Sequence, residues 1–382
     1  MDARLPDPSP DAQHASAELA RLIAAEIHAA GGWISFARYM ELALYAPRLG
    51  YYAGGSQKFG EAGDFLTAPE LTPLFGQTLA VQVAQVLEQS SPVVLETGAG
   101  SGHLAADLLD ALDARGSLPD SYLILELSGE LRTRQRDTLA ARIPHLLPRV
   151  QWIERLPDSF SGCVVANELL DALPNHAVAW TAQGLQERGV GLDPSGHLLW
   201  ANRPADANLL AAIRELSVEA PYESEVALAA RAWVAEWGRR LQAGALLLID
   251  YGLPRHEFYH PQRRHGTLRC HYRHRVHDDP FWFPGLCDIT AHVDFTAIAE
   301  AGHDAGLRVL GYTAQAHFLI NCGIGELLAA KTDGPDQARA RGAVNLLLSP
   351  NEMGELFKVI ALGRGLQQPL LGFSRGDRLH AL

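Results

Sequence analysis

Three glycines at alternate positions, Gly98, Gly100 and Gly102, follow the acid Glu96 and precede a segment of helical character that begins at His103. The apolar run Val93-Val94-Leu95 comes before that acid, so the order is strand, glycine turn, helix. Glycine lets a backbone adopt left-handed conformations and approach a ligand closely, and the helix that follows offers unpaired N–H groups. Such a turn can cradle a nucleotide-like molecule, or it can be no more than a tight connection. The nicotinamide fingerprint G-x-G-x-x-G is not met, because position 103 is His. Glu126 closes the next apolar segment, 122–125, where a carboxylate can accept hydrogen bonds from both hydroxyls of a ribose. Asn167 and Glu168 close a third such run, 163–166, and lead into Leu169-Leu170-Asp171-Ala172-Leu173-Pro174. An amide oxygen and a carboxylate there suit an acceptor nitrogen that carries hydrogens, or a guanidinium held at two points. Asn167 and Asp171 can equally do no more than cap the next helix. Asp250, after the apolar run 245–249, is a further acid expected at the same edge.

Other chemistry finds less support. Asp64 and Phe65 lie in a glycine-rich stretch, 47–69, and are expected to close over a bound cofactor; the alternative is that Thr67 or Glu70 simply starts a helix. The segment 255–284 carries His256, His260, His265, His271, His274 and His277, with Cys270 inside it and Cys287 nearby. Zinc ligands come in short paired spacings, but Arg269, Arg273 and Arg275 are interleaved and repel a dication, so no metal is assigned. A solvated loop, or a basic and aromatic contact to an acidic partner, explains the segment better. The chain has no G-x-S-x-G elbow and no phosphate-binding G-x-x-x-x-G-K-[ST], which leaves serine-hydrolase and P-loop kinase readings without a site.

The elements that must position these residues follow from pattern. From residue 92 onward short apolar strands alternate with helical stretches, the signature of a parallel sheet covered by helices on both faces. Residues 15–30, 34–45 and 71–88 have helical spacing, 178–200 reads as two or three antiparallel strands, and 223–241 reads as a long helix. The expected division is a disordered lead 1–14, an N-terminal helical and lid region 15–90, a core 91–362 with insertions at about 178–241 and 255–290, and a loose tail 363–382. With 382 residues and 47% hydrophobic content the chain can bury a large core. A net charge of −12 disfavours general nucleic-acid binding, though not a basic peptide. There is no apolar run long enough for a membrane span, and the acidic, proline-bearing start has neither secretory nor transit character. Four widely spaced cysteines, Cys163, Cys270, Cys287 and Cys322, suit reduced thiols, so a cytoplasmic location is expected.

The spacing E-x-G-x-G-x-G is usual in class I methyltransferases, where Glu96 would lie near the methionine ammonium of S-adenosylmethionine and the glycines would pass under its ribose and methionine portions. More specifically, the chain resembles the MidA-like methyltransferases over residues 34–362. The resemblance rests on Phe36-Ala37-Arg38-Tyr39-Met40, Gly50-Tyr51-Tyr52, the stretch 63–70, the glycine turn, Glu126-Leu127-Ser128 and Asn167 to Pro174. Asp250-Tyr251-Gly252 and Asp288-Ile289-Thr290-Ala291-His292 carry it further. It implies a Rossmann-like α/β fold with a mostly parallel seven-stranded sheet, S-adenosylmethionine as methyl donor and S-adenosylhomocysteine as product. Mitochondrial members are associated with symmetric dimethylation of an arginine in a respiratory complex I subunit, so a protein substrate, modified on arginine, is expected. A homodimer is compatible with this reading. By motif, Gly98, Gly100, Gly102 and Glu126 would bind cofactor, while Asn167, Glu168 and Asp171 would face the acceptor. Thr97-Gly98-Ala99-Gly100-Ser101 departs from the Leu-Gly-Pro-Gly-Arg expected in many relatives, which changes what sits above the site. A cofactor-binding assembly factor with little catalysis and a small-molecule N- or O-methyltransferase are the alternatives.

Overall fold

The computed structural model describes residues 5–54, 67–214, 216, 218–331 and 334–382. The chain divides into two compact units, one built from Leu66–Leu169, Trp233–Pro254 and Phe295–Leu382, the other from Met1–Phe65, Leu170–Ala232 and Arg255–Asp294.

The first of these units holds seven strands: β1 (Val93–Thr97), β2 (Ser121–Leu125), β3 (Val150–Ile153), β4 (Phe160–Asn167), β5 (Leu241–Leu253), β6 (Arg308–Ala314) and β7 (Phe357–Arg364). They lie in the order β3-β2-β1-β4-β5-β7-β6. The first five are mutually parallel, and β7 runs antiparallel to both of its neighbours. Ala245, Leu246, Leu247 and Leu248 are all fully buried, the continuous apolar run expected of a strand covered on both faces. The helices Pro73–Glu88 and His103–Ala114 supply part of that cover. Thr72 caps the former by accepting from the Leu74 amide at 3.3 Å, and proline at its start costs no hydrogen bond.

In the other unit, Gly184–Leu192 is flanked by Ile34–Ser35, His176–Thr181 and Leu198–Pro204, and Tyr222–Val226 extends the sheet beyond His176–Thr181. Of the two or three antiparallel strands expected over 178–200, three are present. Helices Pro10–Ala29 and Phe36–Tyr45 bury Leu19, Ile23, Ile27, Phe36 and Tyr39 in this unit's core.

Several expectations need correction. The helix anticipated over 223–241 is instead the strand Tyr222–Val226 followed by the helix Leu228–Arg240. Tyr222, Ser224, Glu225 and Val226 are buried, and the Glu225 carboxylate accepts the Thr267 amide, the Thr267 hydroxyl and the Leu268 amide. The anticipated lead does not extend to residue 14: Ser9 caps a helix that begins at Pro10. Residues 255–284 are not wholly irregular, because Arg269–Tyr272 pairs with both Arg275–His277 and Asp288–Thr290. The segment after 363 is not loose either. Leu366, Leu370 and Phe373 are buried, and the Gln82 and Gln89 side chains accept backbone N–H groups of Gly372, Gln367 and Gln368.

Two glycines are required where β1, β4 and β5 lie closest. A Cβ on Gly244 (φ +123°) would stand 1.8 Å from the Gly162 carbonyl oxygen, and one on Gly162 (φ +138°) would stand 2.1 Å from that of Val93. Gly244→Ala is expected to destabilise the protein by about 3 kcal/mol or more in urea denaturation, since central strands would have to separate. An unfolding midpoint equal to wild type would contradict this account.

Candidate active site

The glycine turn leaves the carboxyl end of β1. Gly98, Gly100 and Gly102 all have left-handed φ, +76°, +50° and +85°. Space also demands glycine at the last of these, because a Cβ on Gly102 would lie 3.1 Å from the Gln135 Cα. Gly102 is the N-cap of His103–Ala114 and supplies no capping side chain, so the helix start keeps backbone donors for a ligand.

Glu96, on β1, is 1% exposed, and one of its carboxylate oxygens accepts the Tyr122 hydroxyl at 2.7 Å. Burial pushes its carboxyl from 4.5 up to about 7, with the Tyr122 hydrogen bond opposing part of the rise. Glu126, following β2, accepts the Ser128 amide on one oxygen at 2.8 Å and the Gln135 side-chain amide on the other at 3.0 Å. Burial raises its carboxyl above the ordinary range against those bonds. A carboxylate has about four acceptor positions, so acceptor capacity is left for the hydroxyls of a vicinal diol.

Ser101 stands where an arginine is expected by resemblance. Its hydroxyl donates to Glu70, whose other oxygen lies 2.9 Å from His103 Nδ1. Burial pushes the Glu70 carboxyl up, but these two partners outweigh it and hold the group below its ordinary value. Glu70 thus belongs to the turn rather than serving only the short helix Ala68–Leu71.

At the end of β4, Glu168 takes a left-handed φ of +51°, uncommon for a side chain with Cβ and costing roughly 1–3 kcal/mol. Two bonds from the adjacent β5 hold it: the Glu168 amide donates to Ile249 O at 2.9 Å, and the Leu169 amide donates to Asp250 Oδ2 at 3.1 Å. Asp250 is fully buried, and its Oδ1 accepts the Tyr251 amide. Its geometry is that of an anchor for the Glu168 turn. Asn167, 9% exposed, donates to Glu168 Oε1 at 3.1 Å, whereas its Oδ1 is buried with no hydrogen-bond partner among the described residues. The hydroxyl of Thr97, at the end of neighbouring β1, is in the same condition. Orphaned buried acceptors are costly, so two of them at one sheet edge fit a site completed by a ligand.

Glu96, the three glycines, Glu126, Asn167, Glu168 and Asp250 therefore lie in one unit, at the carboxyl ends of β1, β2, β4 and β5. Asp171 belongs to the other unit, where it is 5% exposed and its carbonyl accepts the Ala291 amide. Asp64 and Phe65 lie outside the described residues. The sequence reading missed Thr97, Tyr122 and Gln135. Gln135 is fully buried on the helix Gly129–Arg142, between Leu131 and Leu139 on its buried stripe. A polar residue at an apolar stripe position was the available signal.

A sheet in this order with one antiparallel strand, and a glycine turn after its first strand, defines a class I methyltransferase. A family model described as "Putative S-adenosyl-L-methionine-dependent methyltransferase" matches residues 78–313. The chain belongs to this MidA-like family of S-adenosylmethionine-dependent methyltransferases. It is 31% identical over 371 residues to the mouse (Mus musculus) protein named protein arginine methyltransferase NDUFAF7, mitochondrial, covering 87% of this chain and 81% of that one. The zebrafish (Danio rerio) protein of the same name is 30% identical over 368 residues, with 87% and 84% covered. The crystal structure of a Burkholderia thailandensis protein bound to S-adenosyl-homocysteine matches with 53% identity and a TM-score of 0.95, covering 99% of this chain and all of that one.

The Glu96 carboxyl gives a test of the site's electrostatics. Its folded-state value lies above the unfolded 4.5, so its contribution to stability is fully present below 4.5 and is lost as pH rises through about 7. Glu96→Gln cannot ionise. It should match wild type in urea at about pH 4 and exceed it by up to roughly 3 kcal/mol at about pH 8. The same difference at both pH values would refute the assignment.

Proposed function

We propose that the chain methylates an arginine side chain of a protein substrate, in the cytoplasm. The observation that carries this reading is the pairing at the end of β4. The carboxylate of Glu168 is held in a strained conformation beside an Asn167 oxygen that has no partner among the described residues. A carboxylate next to a free amide oxygen suits a cationic, hydrogen-rich acceptor better than a neutral hydroxyl. The names of the mouse and zebrafish relatives support the same substrate class.

When bound, S-adenosylmethionine supplies an electrophilic methyl group. The chain's own residues then have separable tasks. Glu96 is assigned to the methionine ammonium and Glu126 to the ribose diol, while Gly98, Gly100 and Gly102 let backbone pass beneath the ligand. Glu168 orients the guanidinium, draws its charge away from the attacking nitrogen and takes up the proton that nitrogen loses on methylation, while Asn167 Oδ1 accepts a hydrogen bond from it. Asp250 holds the Glu168 turn through the Leu169 amide and is a positioning residue. Asp171 is assigned to the acceptor by family motif alone. Methyl transfer to nitrogen is an in-line displacement, so alignment and exclusion of water are the main demands on the protein.

The decisive measurement pairs calorimetry with transfer of labelled methyl to cellular protein. Wild type should bind S-adenosylhomocysteine and label arginine. Glu168→Gln should lower labelling roughly 100-fold while leaving that affinity within about threefold. Full labelling by this variant would remove Glu168 from the chemistry. Cofactor binding with no labelled protein would favour an assembly role, and labelling of free metabolites a small-molecule enzyme.

A further inference from the structure

The helix Gly129–Arg142 is almost wholly polar, and its buried stripe consists of Leu131, Gln135 and Leu139. Gln135 therefore occupies a place where the pattern calls for leucine, and it is fully buried there. Its amide is saturated. Nε2 donates to the Gly100 carbonyl at 3.1 Å and to Glu126 Oε2 at 3.0 Å, and Oε1 accepts from Trp152 Nε1 at 2.9 Å. The indole N–H can only donate, so it fixes which end of the amide is oxygen and turns both amide hydrogens toward the two acceptors. Trp152 is itself held under the guanidinium of Arg136, 4.8 Å from its ring centroid. The Gln135 backbone also packs closely against Gly102, where an added Cβ would lie 3.1 Å from the Gln135 Cα.

We infer that Gln135 is the positioning residue of the ribose site, one buried amide that sets the Glu126 carboxylate in register with the glycine turn. This rests on the assignment of Glu126 to the ribose. Three elements meet at the amide: the turn after β1, the acid after β2 and the indole on β3. Each could shift independently, and the amide ties them together without touching a ligand. It also chooses the Glu126 rotamer. Ser128 and Gln135 hold one oxygen each, which fixes the direction both present to the two hydroxyls of a diol. Gln135 itself is fully buried, and a buried amide is costly to leave partly satisfied, so its geometry is kept with or without ligand.

The test compares two ligands across variants by calorimetry: S-adenosylhomocysteine and its analogue lacking both ribose hydroxyls. Wild type should prefer the natural ligand. Gln135→Leu conforms to the apolar stripe and is expected to fold. It should weaken S-adenosylhomocysteine about tenfold, the usual scale for a hydrogen bond to a charged group, and leave the analogue within about twofold. Equal weakening of both ligands would reduce Gln135 to a structural role, and unchanged affinity for the natural ligand would overturn the inference outright. A wild type that binds both ligands alike would instead remove the ribose assignment of Glu126 on which it rests. If Gln135→Leu does not fold, Trp152→Phe decides: it leaves the amide in place but frees it to turn, and the preference for the natural ligand should fall about threefold. An unchanged preference there overturns the inference.

Discussion

The pairing of β1 with β4 is the constraint from which the site hangs. These strands are not consecutive in the chain, yet they are neighbours in the sheet, with Val94 opposite Cys163 and Thr97 opposite Ala166. The sheet grows from this junction in both directions, through β2 and β3 on one side and β5 on the other. The connections that leave β1 and β4 must therefore diverge, and a crevice opens above the carboxyl ends of the two strands. Glu96, Thr97 and the glycine turn come from one side of it, Asn167 and Glu168 from the other. The register matters as much as the topology, because a slip of one residue would turn the buried hydroxyl of Thr97 and the amide of Asn167 into the helical layers.

Strain and burial are concentrated at this edge. Glu168 occupies a backbone conformation that side chains avoid, and Glu96 sits where ionisation is penalised. Both arrangements are unfavourable for the fold alone, and the neighbouring strands sustain them: Ile249 and Asp250 on β5 hold the first, Tyr122 on β2 the second. Glu126 and Glu70 show the contrast. Both are buried enough to be pushed toward the neutral form. Glu70 has a hydroxyl and an imidazole that restore its charge, whereas the amides and the Arg132 guanidinium around Glu126 do not offset its burial and it stays raised.

Much of this was legible in the sequence. The parallel strands could be read because burial on both faces forces continuous apolar runs, and the glycine turn because alternate glycines after a strand serve few purposes. The edge positions of Glu126, Asn167, Glu168 and Asp250 followed from where those runs stop. Tyr222–Val226 was misjudged as the start of a helix for a physical reason: only the distant Thr267 and Leu268 reveal that Glu225 is paired in the interior. Gln135 escaped because its three partners, Gly100, Glu126 and Trp152, are far apart in the chain, so no local pattern marks them. Asp250 was placed correctly but read as a second acid facing the acceptor. Its bonds to the Leu169 and Tyr251 amides appear only once β4 and β5 are side by side.

The order of the sheet also bears on how the protein comes into being on the ribosome. The last strand to be synthesised among the described residues, β7, lies between β5 and β6, and among those residues β6 pairs with no other strand. Until β7 emerges, β5 has one open side and β6 waits without a ladder, while the stretches that make up the other unit have all been translated. Unpaired strand edges and long-range pairings make nascent chains slow to fold and prone to associate. For this chain the vulnerable interval falls late, when β5 and β6 have left the tunnel and β7 has not. A pause in translation before Phe357 would lengthen it, whereas one before β6 would add no unpaired sixth strand to be guarded.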